Sequence, residues 1–134
     1  MTERRAALLG LAGALVLVVA QLAVASSWSL THDDPTELEL TRRCLEREKL
    51  LAVEETQGDP VAATARGGTL STIVEGGLVT ISVATSEAEV ERLRAAYAGL
   101  GEPGGRLDPY GRYVSHWLRE PSVTQRQAVY DCAY

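Results

Sequence analysis

Few side chains in this sequence are of the types that do chemistry: two histidines and two cysteines, with acids scattered around them. His116, between Ser115 and Trp117, could act as a general base, a role that needs a nucleophile to deprotonate or a carboxylate to orient the ring. Asp108 and Glu120 are the acids close to it in sequence. Used in that way, His116 would make the chain a small hydrolase. His32-Asp33-Asp34 could hold a cation, but three adjacent side chains rarely converge, and a solvated stalk leading into a helix cap accounts for them better. The sequence contains no nucleophile elbow, zinc-protease helix, phosphate-binding loop or EF-hand loop. Its glycine pairs at 67–68, 76–77 and 104–105 fall at turns, not between a strand and a phosphate-binding helix. No catalytic constellation, cofactor or metal is expected.

Cys44 and Cys132 lack the spacing of a redox pair and have no third partner for a metal. In an oxidising compartment, an even number of cysteines in a small domain means one disulfide, here closing a loop of 88 positions. The chain-entropy account gives such a loop about 4.5 kcal/mol of stabilisation.

The segment 112–119 reads as a strand. Tyr113, Ser115 and Trp117 share one of its faces, and Val114, His116 and Leu118 the other. If the second face meets the helices, Tyr113 and Trp117 lie on the open side of a sheet with His116 nearby, a common way to bind a peptide or a sugar chain. If helices cover the first face, the two aromatics are core, which the usual burial of tryptophan favours.

The elements that must position these residues follow from capping and periodicity. Asp34-Pro35-Thr36-Glu37 opens a helix running to about Arg47, with Asp34 as cap and Cys44 facing the domain body. Residues 50–56 read as a strand, although LEREKLLAVEE fits a prolonged helix as well and its period does not separate the two; Asp59-Pro60 starts a short helical turn that Gly67-Gly68 stops. Residues 69–75 and 78–84 form a hairpin around Gly76-Gly77, with Val79, Ile81 and Val83 on one face. Ser86 and Glu89 make a capping box for a helix that carries Val90, Leu93, Tyr97 and Leu100. Asp108-Pro109-Tyr110-Gly111 is a turn between two further strands. Pro121 ends the last of these, and a second capping box, Ser122 to Gln125, starts the final helix. The order strand, helix, strand, strand, helix, strand predicts an α+β domain with the ferredoxin-like βαββαβ plan, extended by a helix at each end.

Ala6 to Ala25 is an apolar run broken only by Gln21, about 30 Å long as a helix and so the thickness of a bilayer's hydrocarbon core. Arg4 and Arg5 precede it and His32-Asp33-Asp34 follow, so the N-terminus stays cytoplasmic and the remainder is exported. A retained single-pass anchor, with Trp28 at the interface, fits the length of the run. The alternative is a cleaved signal ending at Ala23-Val24-Ala25. Residues 1–30 are thus anchor or signal, and residues 31–134 form one small extracytoplasmic domain. With a net charge of −5 and no basic stripe, the chain has no general attraction for nucleic acid.

The segment VTISVATSEAEVERLRAAYAGLG, residues 79–101, is similar to the strand-helix half of a SPOR domain, a peptidoglycan-binding family often carried behind a single membrane span. The resemblance implies a ferredoxin-like fold and a cell-wall ligand; it brings no site residue with it. The residues themselves favour a non-catalytic, membrane-tethered domain that contacts another protein of a bacterial cell envelope. Binding of cell-wall polymer on the open sheet face and hydrolysis through His116 are the alternatives.

Overall fold

The structure, a computed structural model, describes residues 34–55 and 58–133. The expected membrane segment, Trp28, and His32 with Asp33 lie outside the described residues. The first helix, α1 (Glu37–Arg47), is capped by Thr36, whose hydroxyl accepts from the Glu39 amide at 3.3 Å. It therefore begins two residues later than an Asp34 cap would place it, because Thr36 Oγ1 satisfies an amide that otherwise has no partner.

Five strands follow: β1 (Val53–Glu54), β2 (Thr69–Val74), β3 (Gly77–Val83), β4 (Leu107–Tyr110) and β5 (Tyr113–Trp117). Helix α2 (Glu87–Gly99) lies between β3 and β4, and α3 (Val123–Tyr130) comes last. Two short 3-10 turns, Ala62–Thr64 and Gly104–Arg106, precede β2 and β4. The domain is α+β, with all five strands in one sheet in the order β1-β2-β3-β5-β4 and every neighbouring pair antiparallel.

This order differs from the ferredoxin-like plan, which sets the first strand in the middle of the sheet beside β3. Here β1 is two residues long and pairs at the edge with β2, Val53 opposite Thr72. The described part of the connection between β1 and β2 carries a 3-10 turn where the expected plan has a crossover helix, and the two strands pair antiparallel.

The β2–β3 hairpin forms where alternation places it, with its turn one residue earlier than Gly76-Gly77. Val74 pairs with Gly77, and the turn residues Glu75 and Gly76 have φ of 46° and 78°, the positive values a tight hairpin requires. Gly77 is a strand residue instead. A Cβ there would lie 2.7 Å from Gln125 Nε2, which donates to Val74 O at 2.9 Å and so fixes α3 on the hairpin. Moving the turn by one residue shifts both strands equally, and each side chain keeps its face. The second hairpin turn moves similarly: β4 continues through Tyr110, which pairs with Tyr113 across Gly111-Arg112, and Pro109 is tolerated because β4 is an edge strand.

Helices cover both faces of the sheet, but unequally. On one face Cys44 and Leu45 of α1, with Val129 and Cys132 of the α3 end, pack on Val79, Ile81, Tyr113 and Trp117. On the other, Val90, Leu93 and Tyr97 of α2 join Val61 over Ala84 and Val114. Helix α2 lies on β4 and β5. At the turn end of the β2–β3 hairpin, Ile73 and Leu78 on that face stay exposed.

The Ser122 capping box is present in full: its hydroxyl accepts from the Gln125 amide at 3.1 Å, and Gln125 Oε1 accepts from the Ser122 amide at 2.8 Å. The Ser86 box is half formed. Ser86 Oγ accepts from the Glu89 amide at 3.2 Å, while the Glu89 carboxylate turns to the amides of Arg66 (2.7 Å) and Thr85 (2.8 Å).

Candidate functional site

A cluster of polar groups built around His116 lines a cleft on the side of the sheet that carries α2. The Asp-Pro start of the first 3-10 turn brings Asp59 there. Its Oδ1 accepts from the amides of Val61 and Ala62, each at 3.0 Å, as a helix cap does. This fixes the carboxylate so that Oδ2 faces the sheet, where it accepts from the Tyr97 hydroxyl at 2.8 Å and meets His116 Nδ1 at 2.8 Å. Tyr97 comes from the last turns of α2 and lies against the imidazole, ring centroids 4.4 Å apart.

Protonation states follow from these contacts. Burial pushes the Asp59 carboxyl up, but the bonds from the Ala62 amide, His116 and Tyr97 outweigh it and hold the group below its ordinary value. Burial, and then the neighbouring Asp59 charge, push the Tyr97 hydroxyl up, so it keeps its proton and donates. An ionised carboxylate only accepts, so His116 Nδ1 carries a hydrogen.

A second carboxylate reaches the other side of the ring. After α2 ends, Gly101 takes φ of 77°, and the Glu102 amide donates to Tyr97 O at 3.2 Å, turning the chain back toward the sheet. Glu102 Oε2 then lies 3.3 Å from His116 Nε2. Nε2 is buried, and this contact falls outside hydrogen-bond geometry. Both ring nitrogens thus face carboxylates. Arg106 Nη1 stands 4.0 Å from the same Glu102 oxygen.

These groups form one wall of a cleft of about 330 Å³. Pro60, Leu78, Leu100 and Leu118 supply its apolar lining, and Thr80 lies on its strand floor. A smaller hollow of about 180 Å³ extends along β2 and shares Ser71 and Leu78 with it. Leu100, expected with the buried residues of α2, is 64% exposed at the cleft rim.

The sequence-predicted residues separate. His116 lies in the cleft. Tyr113 and Trp117 are on the opposite face, 3% and 1% exposed, so the open aromatic face is corrected to a covered one: α1 and α3 pack over it. Tyr113 accepts from Thr41 Oγ1 at 3.2 Å, and Trp117 Nε1 donates to Asp108 at 3.0 Å. Asp108 is therefore a core residue beneath α3. Burial pushes its carboxyl above the ordinary value against the opposing pull of Arg126 and Trp117. Glu120 is exposed beyond the end of β5. Neither acid orients His116; Asp59 does, with Glu102 in contact with the other side of the ring.

Cys44 and Cys132 are bonded, their Cα atoms 5.5 Å apart, joining α1 to the residues just after α3. Among the described residues no group of three His, Cys, Asp or Glu side chains could hold a metal ion. Sequence reasoning read Asp59 as a helix start and Tyr97 as core, both correctly, and passed over Glu102 as loop; nothing in their spacing connects them to His116. No protein-family model matches the chain, and no curated protein or solved structure matches it either.

Proposed function

We propose that this chain is a membrane-tethered extracytoplasmic domain, non-catalytic, that engages another protein of the cell envelope through the cleft beside His116. The observation that carries the reading is the cleft itself: Leu78, Leu100 and Leu118 remain 41%, 64% and 60% exposed around a hollow whose titratable groups, Asp59, Tyr97, Glu102 and His116, are gathered on one wall. Solvated leucines arranged around a concavity with a few convergent polar groups are the usual character of a binding site.

A general base needs one ring nitrogen directed at the proton it removes. Asp59 holds the His116 ring through Nδ1 as an orienting carboxylate would, but the remaining nitrogen, Nε2, is buried against Glu102 and not open to the cleft, which favours binding over catalysis. The cell-wall alternative drew on Tyr113 and Trp117 as a stacking platform, and the face available instead is lined with leucines.

Tethering rests on the sequence, on Arg4, Arg5 and the apolar run to Ala25. Among the described residues no helix is long and apolar enough to cross a membrane. Release by cleavage behind Ala25 would put the same domain outside. The Cys44–Cys132 bond suits that oxidising side.

A photo-crosslinking residue at position 118, tested in living cells, should give a defined protein adduct, while one at position 123 on the outer side of α3 should give none. Adducts at 123 alone, or equally at both, would move the contact away from the cleft. Retention of the domain on purified cell wall would favour the polymer reading.

A further inference from the structure

We infer that the occupant of this cleft is a polypeptide segment carrying basic side chains among apolar ones, with one cation seated against Glu102. The inference rests on the cleft being the partner site and names the chemistry of what enters it. Three observations carry it. The lining of the cleft and of the adjoining hollow includes three carboxylates, Glu54, Asp59 and Glu102, and no Lys or Arg. Its apolar part is continuous from Ile73 through Leu78, which pair across the hairpin, to Leu118, whose amide donates to Leu78 O at 3.0 Å. A ligand with apolar side chains alone would leave the acids desolvated and unpaired, and an acidic one would be repelled.

The carboxylates are not equivalent. Asp59 already takes four contacts, from the Val61 and Ala62 amides, Tyr97 and His116. Glu102 has only the poorly aligned Nε2 of His116 and the Arg106 guanidinium at 4.0 Å, and it is part-exposed at the cleft. Glu102 is therefore where an incoming ammonium or guanidinium gains most.

The test uses the full-length chain in zwitterionic lipid discs, with empty discs as reference, and fluorescein-labelled hexapeptides of alternating Leu and Lys, Leu and Glu, or Ser and Lys. Fluorescence polarisation should show the Leu/Lys peptide binding at least about tenfold tighter than the other two. Glu102→Gln should weaken it about three- to fivefold, the scale of one partly exposed ion pair. Equal binding of the Leu/Lys and Leu/Glu peptides, or a Gln variant with unchanged affinity, overturns the cation seat while leaving the cleft as a partner site. Unchanged Leu/Lys binding in Leu118→Ser would overturn the inference by placing the peptide outside the cleft, and would count against the proposed function too. Absence of binding by all three peptides overturns the inference alone.

Discussion

Asp59 Oδ2 stands 2.8 Å from His116 Nδ1 although 57 residues separate them, so one carboxylate ties the connector after β1 to strand β5. The same oxygen accepts the Tyr97 hydroxyl, which adds α2 to the junction. The cleft wall is held by this junction and not by the short β1–β2 pairing alone.

Asp59→Asn should lower stability by about 1–3 kcal/mol, because an amide cannot accept from both Tyr97 and His116 while it also caps the 3-10 turn. Urea unfolding should show a lower midpoint with an unchanged slope. A midpoint equal to that of the wild type would mean the junction contributes nothing.

Cys132→Ser should cost about 2–5 kcal/mol, since the bond closes a loop of 88 positions and links α1 to the α3 end of the core. Protein purified from its native compartment without reductant should contain no free thiol. Two titratable thiols per chain would show that the bond does not form there.

Glu89 supplies a pH-dependent share of stability. Burial pushes its carboxyl up, but the Thr85 and Arg66 amides, the Thr85 hydroxyl and Arg92 pull it down from the ordinary 4.5 to about 2. A depressed acid contributes fully above its unfolded value and loses that contribution as pH falls through the folded one. Stability should therefore decline from about pH 4.5 toward about pH 2. Glu89→Gln should cost about 2 kcal/mol at neutral pH and shallow that decline. An identical acid limb in the variant would assign the effect to other groups.

Gly77→Ala should destabilise by about 1–3 kcal/mol by overpacking. The new methyl would meet Gln125 Nε2 at 2.7 Å and Val74 O at 3.3 Å, displacing the amide that fastens α3 to the hairpin. Gly76→Ala meets no neighbouring atom within 4 Å and acts through its positive φ alone. Combining Gly77→Ala with Gln125→Ala should cost less than the sum of the two, and strict additivity would refute the contact.

The localisation proposal predicts that a reporter active only outside the cytoplasm works when fused after Tyr134. Activity of a cytoplasmic reporter there would reverse it. Mass spectrometry of the mature chain distinguishes a retained anchor from an N-terminus at Ser26.

Local chemistry determined much of this protein from its sequence. The Ser122 capping box, the alternation through Val79, Ile81 and Val83, and the apolar stripe of α2 each depend on residues within a few positions of one another. Cys44 and Cys132 were legible as a pair because they are the only two cysteines. What needed tertiary structure was every choice between two equally patterned surfaces. Residues 113–118 alternate apolar side chains on both faces, so no periodicity says which face α1 and α3 cover; packing placed Trp117 and Tyr113 inside and left Leu118 and His116 on the other side. The strand order was likewise a tertiary choice: the 14 residues between β1 and β2 are enough for a crossover, and the pairing of Val53 with Thr72 puts β1 at the edge instead. The partners of His116 were illegible for a related reason. Asp59, Tyr97 and Glu102 each serve a local purpose as cap, core or loop, and only the folded sheet brings those three connectors to one imidazole.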